Sequence, residues 1–441
     1  MGRTTDANPA GVPQATQAGS IHDRWPWVEP SVWSERMLNA LEKGVKGGVW
    51  FSLIDKVYAP ATLGAAWAKV QANRGAAGID KQSIAMFARQ ADMHLRQLHE
   101  QLRQDTYQPQ PVRRKWIDKP GSTEKRPLGI PAVRDRVVQT ALRMVQEPIW
   151  EAQFAEHSYG FRPGRGCKDA LRRVNELLKT GYTWVVDADL KGYFDSIPHD
   201  LLMADVRQKV ADGRVRALLE AYLNAKIMDG LEEWEPERGT PQGAVISPLL
   251  ANLYLDGLDH AMAKAGYAMV RYADEFVILS RSQAEAEQSL ALVRQHVEGR
   301  GLTLHPTKTR LVAASQRGGF DILGYHIERD RRWPRKKSLD KIKDKVRTLT
   351  PRNSVRSLTE IISKLNPMLF GWYQFFKHSH RWTFGRMDGW IRLRLRSLLR
   401  KRRGAKGRGR GWDHQRWPNA YFTRQGLFSL EHAHAVELQF L

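Results

Sequence analysis

Two acidic residues stand side by side where two apolar stretches of the chain meet. The segment RYADEFVILS, residues 271–280, places Asp274 and Glu275 between runs that are typical of strands. A third acid, Asp189, closes the segment YTWVVDADL, whose β-branched and aromatic residues predict a short buried strand. Acids at a hairpin, facing a third acid on a neighbouring strand, could hold divalent cations, because Mg²⁺ prefers oxygen ligands. Two such ions are the recurring solution for phosphoryl transfer to a hydroxyl group.

The charge of the chain favours a polyanionic partner. Its 441 residues include 70 Lys and Arg against 47 Asp and Glu, which gives a net charge of +23. Such a protein is attracted to nucleic acid or to an anionic membrane surface. No apolar run approaches the roughly 20 residues that cross a bilayer, and the N-terminus has no apolar core of a secretory signal. The single cysteine, Cys167, excludes an internal disulfide and a multi-cysteine zinc site. We therefore expect a cytoplasmic protein with no membrane partner, either free or in a nucleoid-associated ribonucleoprotein.

Apolar periodicity predicts a mixture of helices and strands around these acids. Residues 1–44 are predicted to form a flexible extension, because the first 30 are rich in Ala, Gly, Pro, Thr and Gln. A loop dense in Gly and Pro is expected at 235–244, and two strands at 266–280. Helical patterns cover residues 85–104, 134–147, 199–226 and 248–264.

The C-terminal part is strongly basic. An apolar stripe at helical spacing predicts a core helix, which Pro367 could start or kink, and it comprises Ile361, Leu365, Leu369, Trp372 and Phe376. Residues 391–410 contain ten basic residues and no acid. As a helix this segment would place Arg392, Arg396, Arg400 and Arg403 on one face, although its first six residues also alternate as in a strand. We expect contact between these arginines and RNA phosphates.

A series of longer motifs resembles the reverse transcriptases and maturases of group II introns, most of all the compact group IIC type. The resemblance covers residues 45 to 430. In chain order the motifs are RPLGIP (126–131), SYGFRPGRG (158–166), DADLKGYFDSIPHD (187–200), GTPQGAVISPLLANLYLD (239–256), RYADEF (271–276), LHPTKT (304–309), LGY (323–325), GWYQFF (371–376) and WPNAYF (417–422). One such motif would be weak support, whereas many in the right order are strong.

The resemblance implies roles for individual residues. Asp189 and Asp274 match the metal-binding acids of the family, and Glu275 stands beside them in a two-ion Mg²⁺ site. Phe194 matches the aromatic residue that screens the sugar 2′-hydroxyl, and Gln242 lies where the family packs the incoming nucleotide. Lys119 and Arg126 match the residues that hold the triphosphate, which suits the bidentate guanidinium and the point charge of lysine. Lys308, in LHPTKT, is expected to contact nucleic acid.

The resemblance also implies the architecture and the activity. The fold is expected to be α+β: a right-hand polymerase with an antiparallel palm sheet, followed by helices. Its parts would be fingers and palm at 45–330, a thumb or maturase domain at 331–400, and a basic extension at 401–441. The expected activity is RNA-directed DNA synthesis, with dNTPs, an RNA template and a DNA primer or target as substrates. The parent intron RNA would be a further partner, whose splicing-competent fold the protein stabilises, while the oligomeric state stays open.

Glu275 departs from the family pattern, which usually has a second aspartate there. Glutamate keeps the charge but adds a methylene, and a displacement of about 1 Å can cost about 10²-fold in rate. One alternative is therefore an RNA-binding maturase whose polymerase is impaired. A second alternative, which no residue of the chain favours or excludes, is a reverse transcriptase adopted by the host for repair or defence. A membrane role of the basic tail is disfavoured, since the tail lacks apolar bulk. The sequence shows no His-Asn-His endonuclease after WPNAYF, so a primer end supplied from elsewhere is expected.

Overall fold

A computed structural model of the chain describes residues 20–118, 125–329, 331–409 and 411–439. The described residues form two compact units, which divide between Leu311 and Val312. Both contain helices and antiparallel strands, so the α+β prediction is confirmed. In these described ranges no helix combines the length and the apolar character that crossing a membrane requires.

The first unit begins with two helices in the segment that was predicted to be flexible. These are α1 (Ile21–Arg24) and α2 (Glu35–Lys43), and residues 1–19 lie outside the described part. Trp33 is fully buried between them, and its indole N–H donates to the carbonyl of Met144 at 3.1 Å. The prediction of flexibility was therefore wrong for residues 21–43, because distant residues supply the core against which they pack.

Helices then build the core that supports the strands. A 3-10 turn at Lys46–Gly48 precedes α3 (Ile54–Tyr58), α4 (Pro60–Ala72), α5 (Ile84–Arg89), α6 (Ala91–Arg103) and α7 (Val133–Glu151). The helix predicted at 85–104 is interrupted at Gln90, which caps both α5 and α6. The helix predicted at 134–147 is present as α7, which is mostly buried, polar residues among the buried ones, and packs against α4.

The first sheet carries the basic motif RPLGIP. Its strands are β1 (Val112–Asp118), β2 (Lys125–Ile130), β4 (Ile227–Asp229) and β5 (Glu232–Trp234), in the order β2-β1-β4-β5. Strand β2 is antiparallel to β1 and begins with exposed basic residues. The sheet thus presents Arg126 near one end of β2, where it pairs with Ile117 of β1.

The second sheet carries the acids. Its strands are β3 (Trp184–Asp189), β6 (Ala268–Tyr272), β7 (Glu275–Ser280) and β8 (Arg310–Ala313), in the order β6-β7-β3-β8. The two strands predicted at 266–280 are confirmed as β6 and β7. The remaining helices of this unit are α8 (Cys167–Lys179), α9 (Tyr193–Ser196), α10 (His199–Arg207), α11 (Gly213–Leu223), α12 (Ser247–Lys264) and α13 (Gln283–Gly299). The single helix expected at 199–226 is thus two helices.

The second unit joins a small sheet to a helical core. Strands β9 (Phe320–Ile322), β10 (Tyr325–Glu328) and β11 (Arg331–Pro334) are antiparallel, in the order β11-β10-β9. The helices are α14 (Lys336–Leu349), α15 (Leu358–Phe376), α16 (Trp382–Arg402), α17 (Trp412–Arg416), α18 (Asn419–Arg424) and α19 (Leu430–Gln439). Pro367 lies inside α15 and does not start it. The strand alternative for the first six residues of 391–410 is wrong, because these residues belong to α16.

The boundaries of the second unit differ from the sequence prediction. The unit begins at Val312, whereas a boundary after residue 330 was expected, because the sheet β9–β11 belongs with the helices that follow. Residues 401–441 were expected to be a separate basic extension. Phe422 and Leu430 are instead fully buried in the same core as α15 and α16. The C-terminal helices therefore help to build the unit.

Candidate active site

The β6–β7 hairpin and the end of β3 bring the predicted acids to one edge of the second sheet. Strand β7 is antiparallel to both β6 and β3, and its first residue, Glu275, stands directly opposite Asp189. The turn of the hairpin consists of Ala273 and Asp274, with Ala273 in the left-handed region at φ 58°. This conformation is uncommon for a residue with a side chain and suits a two-residue hairpin turn. The structure thus places Asp189 at the end of β3, Asp274 in the turn and Glu275 at the start of β7, all at the same edge of the sheet.

The charges of Asp189 and Asp274 act on each other. Burial raises the pKa of Asp274 above its ordinary value, and the negative charge of Asp189 raises it further. The positive charges of Arg126 and Lys308 act in the opposite direction and lower the pKa of Asp274. Four charged residues from distant parts of the chain therefore share one electrostatic environment around the turn.

Lys308 contacts an acid of the site directly. Its ammonium group lies 2.5 Å from a carboxylate oxygen of Asp189, and the backbone N–H of His305 donates to the carbonyl of Asp189. Arg310 donates in the same way to the side chain of Asp187, at 3.1 Å. Lys308 was expected to contact nucleic acid, whereas in this structure it neutralises one of the predicted metal ligands.

The acids fit a magnesium site with two close carboxylates. In the part of the chain that the structure describes, no group of three or more His, Cys, Asp or Glu side chains is arranged to hold one ion. Mg²⁺ does not need such a group, because in polymerases it takes one or two carboxylates together with water and substrate phosphates. The unfavourable proximity of two partly buried carboxylates, Asp189 and Asp274, is what a cation would relieve. The donor set therefore fits Mg²⁺ through these two acids, with Glu275 next to them.

The predicted nucleotide-binding residues lie on two segments that contact each other. Phe194 belongs to the short helix α9, and its carbonyl accepts a hydrogen bond of 2.6 Å from the N–H of Thr240. The Gln242 side-chain amide donates to the carboxylate of Asp195 at 3.1 Å. Gly239 has a φ of +93°, and a Cβ there would come within 2.9 Å of the backbone of α9. The sequence requires glycine at this position because the loop crosses the helix so closely.

Of the two residues predicted to hold the triphosphate, the structure describes one. Arg126 is exposed on β2, and its charge reaches Asp274. Lys119 lies outside the described residues. The structure therefore brings Arg126 together with the acids and leaves the expectation for Lys119 as a prediction.

The four arginines predicted to bind RNA do not share one exposed face. Arg396 is buried, and its guanidinium donates to the carbonyl of Trp417 and to Asn419. Arg400 donates to Asp413 at 2.7 Å, and the partly buried Arg392 lies 3.9 Å from Asp388. Arg403 alone among the four is exposed. Arg396 therefore stabilises the helical core, and the expectation that it contacts RNA is corrected by its burial.

Two features, one in each unit, were missed at the level of sequence. Arg271, which precedes the turn, is fully buried and donates to the carbonyl of Ala273. In the second unit, Trp382 is 53% exposed, and the guanidinium groups of Arg331 and Arg386 lie over its ring. A charged residue inside an apolar strand was the available signal for Arg271. No local signal distinguishes Trp382 from the core tryptophans.

Comparison with known proteins identifies two regions. Residues 117–327 match the sequence model of the family described as reverse transcriptase (RNA-dependent DNA polymerase). Residues 339–418 match that of the group II intron, maturase-specific domain. The first match ends at residue 327 and the second begins at residue 339.

The chain is also similar to individual known proteins. Protein YkfC of Escherichia coli (strain K12) is 36% identical, in an alignment that covers 58% of this chain and 76% of YkfC. The group II intron-encoded protein LtrA of Lactococcus lactis is 40% identical, over 37% of this chain and 27% of LtrA. The chain thus spans most of YkfC but only a minor part of LtrA. Among solved structures, a chain of a partial Cas6-RT-Cas1–Cas2 complex has 27% identity and a TM-score of 0.37, covering 56% of this chain and 41% of that chain.

Proposed function

We propose a function from one premise: the chain belongs to the family of group II intron reverse transcriptases and maturases, which comprises RNA-directed DNA polymerases that also assist splicing. The proposed activity is Mg²⁺-dependent DNA synthesis on an RNA template. The observation that carries it is the proximity of Asp189, at the end of β3, and Asp274, in the β6–β7 turn, because their carboxylates together raise the local density of negative charge.

The proposed reaction forms one bond and breaks one. The 3′-hydroxyl oxygen of the primer attacks the α-phosphorus of a dNTP, the bond to the β-phosphate oxygen breaks, and pyrophosphate leaves, while the hydroxyl proton passes to solvent. Reverse transcriptases generally use divalent metal ions, and two bound Mg²⁺ ions would stabilise the charge on the attacking and leaving oxygens. Asp189 and Asp274 would hold these ions, and Glu275 would assist them.

The neighbouring residues support a nucleotide site beside the acids. Arg126 would bind the triphosphate, because a guanidinium offers paired donors to phosphate oxygens, and its charge already acts on Asp274. Lys119 would assist it. Phe194 stands between the rings of Tyr193 and Phe161, at centroid distances of 5.6 and 6.3 Å, which limits the movement of its side chain. A rigid ring at this place could exclude a sugar with a 2′-hydroxyl, while Gln242 would pack against the incoming nucleotide.

For RNA binding we propose a surface around Trp382 in the second unit, here called the Trp382 surface. It consists of Trp382, His380, Arg331, Arg381 and Arg386. The His380 ring lies 4.3 Å from the indole, and the guanidinium carbons of Arg331 and Arg386 lie 5.1 and 6.0 Å from it. Burial lowers the pKa of His380, and the charges of Arg331 and Arg381 lower it further.

An exposed aromatic ring surrounded by arginines suits unpaired RNA. Bases stack on such rings with a gain of about 1–3 kcal/mol each, and the arginines neutralise the adjacent phosphates. The family implies binding to intron RNA, and we propose that the parent intron RNA occupies this surface. Arg403 would add charge, and Arg392 and Arg400 less, since they lie beside Asp388 and Asp413. The complex of the protein with intron RNA would act in the cytoplasm. An RNA template and a DNA primer or target would be its further partners.

A second candidate function is a maturase whose polymerase has become impaired. It is favoured by Glu275, whose side chain starts directly opposite Asp189 in the strand register and is one methylene longer than aspartate. Primer extension with wild type and Glu275→Asp separates the two candidates. The polymerase proposal expects product from wild type. No product from wild type, together with extension by Glu275→Asp and assisted splicing by both, would instead support the impaired maturase.

A further inference from the structure

Arg271 is a buried cation beside the turn that carries Asp274. It occupies the last but one position of β6, and its side chain is completely buried. Its guanidinium donates from Nε to both carboxylate oxygens of Asp259, at 2.8 and 2.9 Å, and from Nη2 to the same carboxylate. Asp259 lies on α12 and is itself buried. The ion pair therefore fixes the position of the guanidinium against a helix of the core.

The remaining donor group of Arg271 points at the turn. Nη1 donates to the carbonyl oxygen of Ala273 at 2.9 Å and to the side-chain oxygen of Asn252 at 3.0 Å. Ala273 is the residue with positive φ, immediately before Asp274. A residue with a side chain keeps that conformation only where its surroundings enforce it. The hydrogen bond from Arg271 is such an enforcing contact.

Asn252 extends the same network to a second segment. Its amide donates to the carbonyl of Gly160 at 2.7 Å. A Cβ on Gly160 would lie 2.2 Å from the backbone nitrogen of Ala273, so the two backbones are in direct contact. The N–H of Tyr159 also donates to the carbonyl of Arg271 at 2.9 Å. The turn is thus fixed through hydrogen bonds to residues of α12 and through backbone contacts with residues 159–160.

A merely structural role would not require this arrangement. Buried ion pairs contribute little net stability, and apolar residues of similar volume often replace them without loss. What apolar residues cannot replace is the donor aimed at the Ala273 carbonyl. We propose that Arg271 and Asn252 are positioning residues. They hold the 273–274 turn in the conformation that places the Asp274 carboxylate beside the Asp189 carboxylate. This inference rests on the proposed function of the two acids, but the placement of the turn can be tested separately.

The first test is Arg271→Lys. Lysine keeps a positive charge for Asp259 but cannot reach Asp259, Asn252 and the Ala273 carbonyl at once. At saturating dNTP we expect the single-turnover rate of incorporation to fall about 10- to 100-fold, because displacements near 1 Å have effects of that size. The KM for dNTP and the affinity for RNA should change less than threefold. In the same variant, amide hydrogen exchange should become faster at residues 272–276 while the helices of the first unit keep their protection.

Asn252→Ala is the second variant, since it leaves the Arg271–Asp259 pair intact and is expected to fold. It should reproduce the faster exchange and a smaller fall in rate. Arg300→Lys is the matched control, because Arg300 also pairs with an aspartate, Asp205, and lies over the ring of Tyr254 at 4.2 Å. It should leave both the exchange of the turn and the rate unchanged.

Unchanged exchange at 272–276 in both variants would overturn the inference, as would an equal loss of rate in Arg300→Lys. The exchange measurement does not depend on catalysis. Wild type without polymerase activity would therefore refute the proposed function, while faster exchange in the variants would still support the positioning of the turn.

Discussion

The ammonium group of Lys308 lies 2.5 Å from the carboxylate of Asp189, although 119 positions separate the two residues along the chain. The pair joins the segment after α13 to the end of β3, where the candidate metal ligands are. A lysine in this position provides part of the positive charge that a bound cation would provide. Lys308 and Mg²⁺ should therefore compete for Asp189.

Replacing Lys308 by methionine should make Mg²⁺ binding tighter. The side chains of Lys308 and Asp189 are 60% and 25% exposed, so their interaction is worth no more than about 1 kcal/mol. The Mg²⁺ concentration for half-maximal primer extension should fall about two- to fivefold, whereas Lys308→Arg should resemble wild type. A half-maximal concentration that stays the same or rises in Lys308→Met would show that the lysine does not compete with the ion.

Replacing Phe194 by alanine should weaken the discrimination against ribonucleotides. The ring is held between Tyr193 and Phe161, and its removal opens space where a 2′-hydroxyl could fit. The ratio of kcat/KM for dNTP over rNTP should fall at least about tenfold, which corresponds to the loss of one steric contact. Phe194→Tyr, which keeps the ring, is the control. An unchanged ratio of kcat/KM for dNTP over rNTP in Phe194→Ala would mean that Phe194 does not contact the sugar of the incoming nucleotide.

Replacing Trp382 by alanine should weaken RNA binding by the Trp382 surface. A lost base stack is worth about 1–3 kcal/mol, which is roughly a 5- to 150-fold increase in Kd. Phe370→Ala is a matched control, because Phe370 is 51% exposed in the same unit but has an aromatic neighbour, Phe428, in place of arginines. Filter binding of intron RNA at fixed salt measures both. Equal losses in the two variants would mean that exposed aromatic area alone decides binding.

The stability of the first unit should depend on pH through His260. The hydrogen bond to Asp256 raises the pKa of His260 to about 9. A folded pKa above the unfolded one stabilises the folded state below pH 6.5, and this contribution is lost as the pH rises from 6.5 to 9. Half of the side chain is exposed, so solvent screening reduces the effect to about 1 kcal/mol. Denaturant unfolding at pH 6 and pH 9 measures this decrease in the free energy of unfolding, which the His260→Gln variant should not show. An identical pH dependence of the unfolding free energy in wild type and variant would contradict the prediction.

The sequence predicts the elements around the site because local pattern determines them. Strand β3, the β6–β7 hairpin and α7 follow from short runs of apolar and turn residues. The contacts between distant residues do not follow in the same way. Trp33 is buried and donates a hydrogen bond to Met144, and Arg396 is buried and donates to Trp417 and Asn419. A helical pattern in the sequence does not predict these partners. The pairing of Lys308 with Asp189 likewise depends on the tertiary fold.

Glu275 shows the limit of assignment by motif. It stands opposite Asp189 in the strand register, and its role beside the candidate metal ligands stays a prediction. Whether a glutamate there supports full activity depends on a displacement of about one bond length, which residue type alone does not decide. The comparison of wild type with Glu275→Asp addresses this question directly.

The most direct measurement is primer extension on an RNA template with Mg²⁺, comparing wild type with Asp274→Ala. Asp200→Ala is the control, since Asp200 is an exposed acid of the motif DADLKGYFDSIPHD in the first turn of α10. Wild type and Asp200→Ala should extend the primer at similar rates. Asp274→Ala should be slower by at least about 100-fold, with unchanged affinity for RNA. Extension by Asp274→Ala at the rate of wild type would contradict a polymerase site built on Asp189 and Asp274.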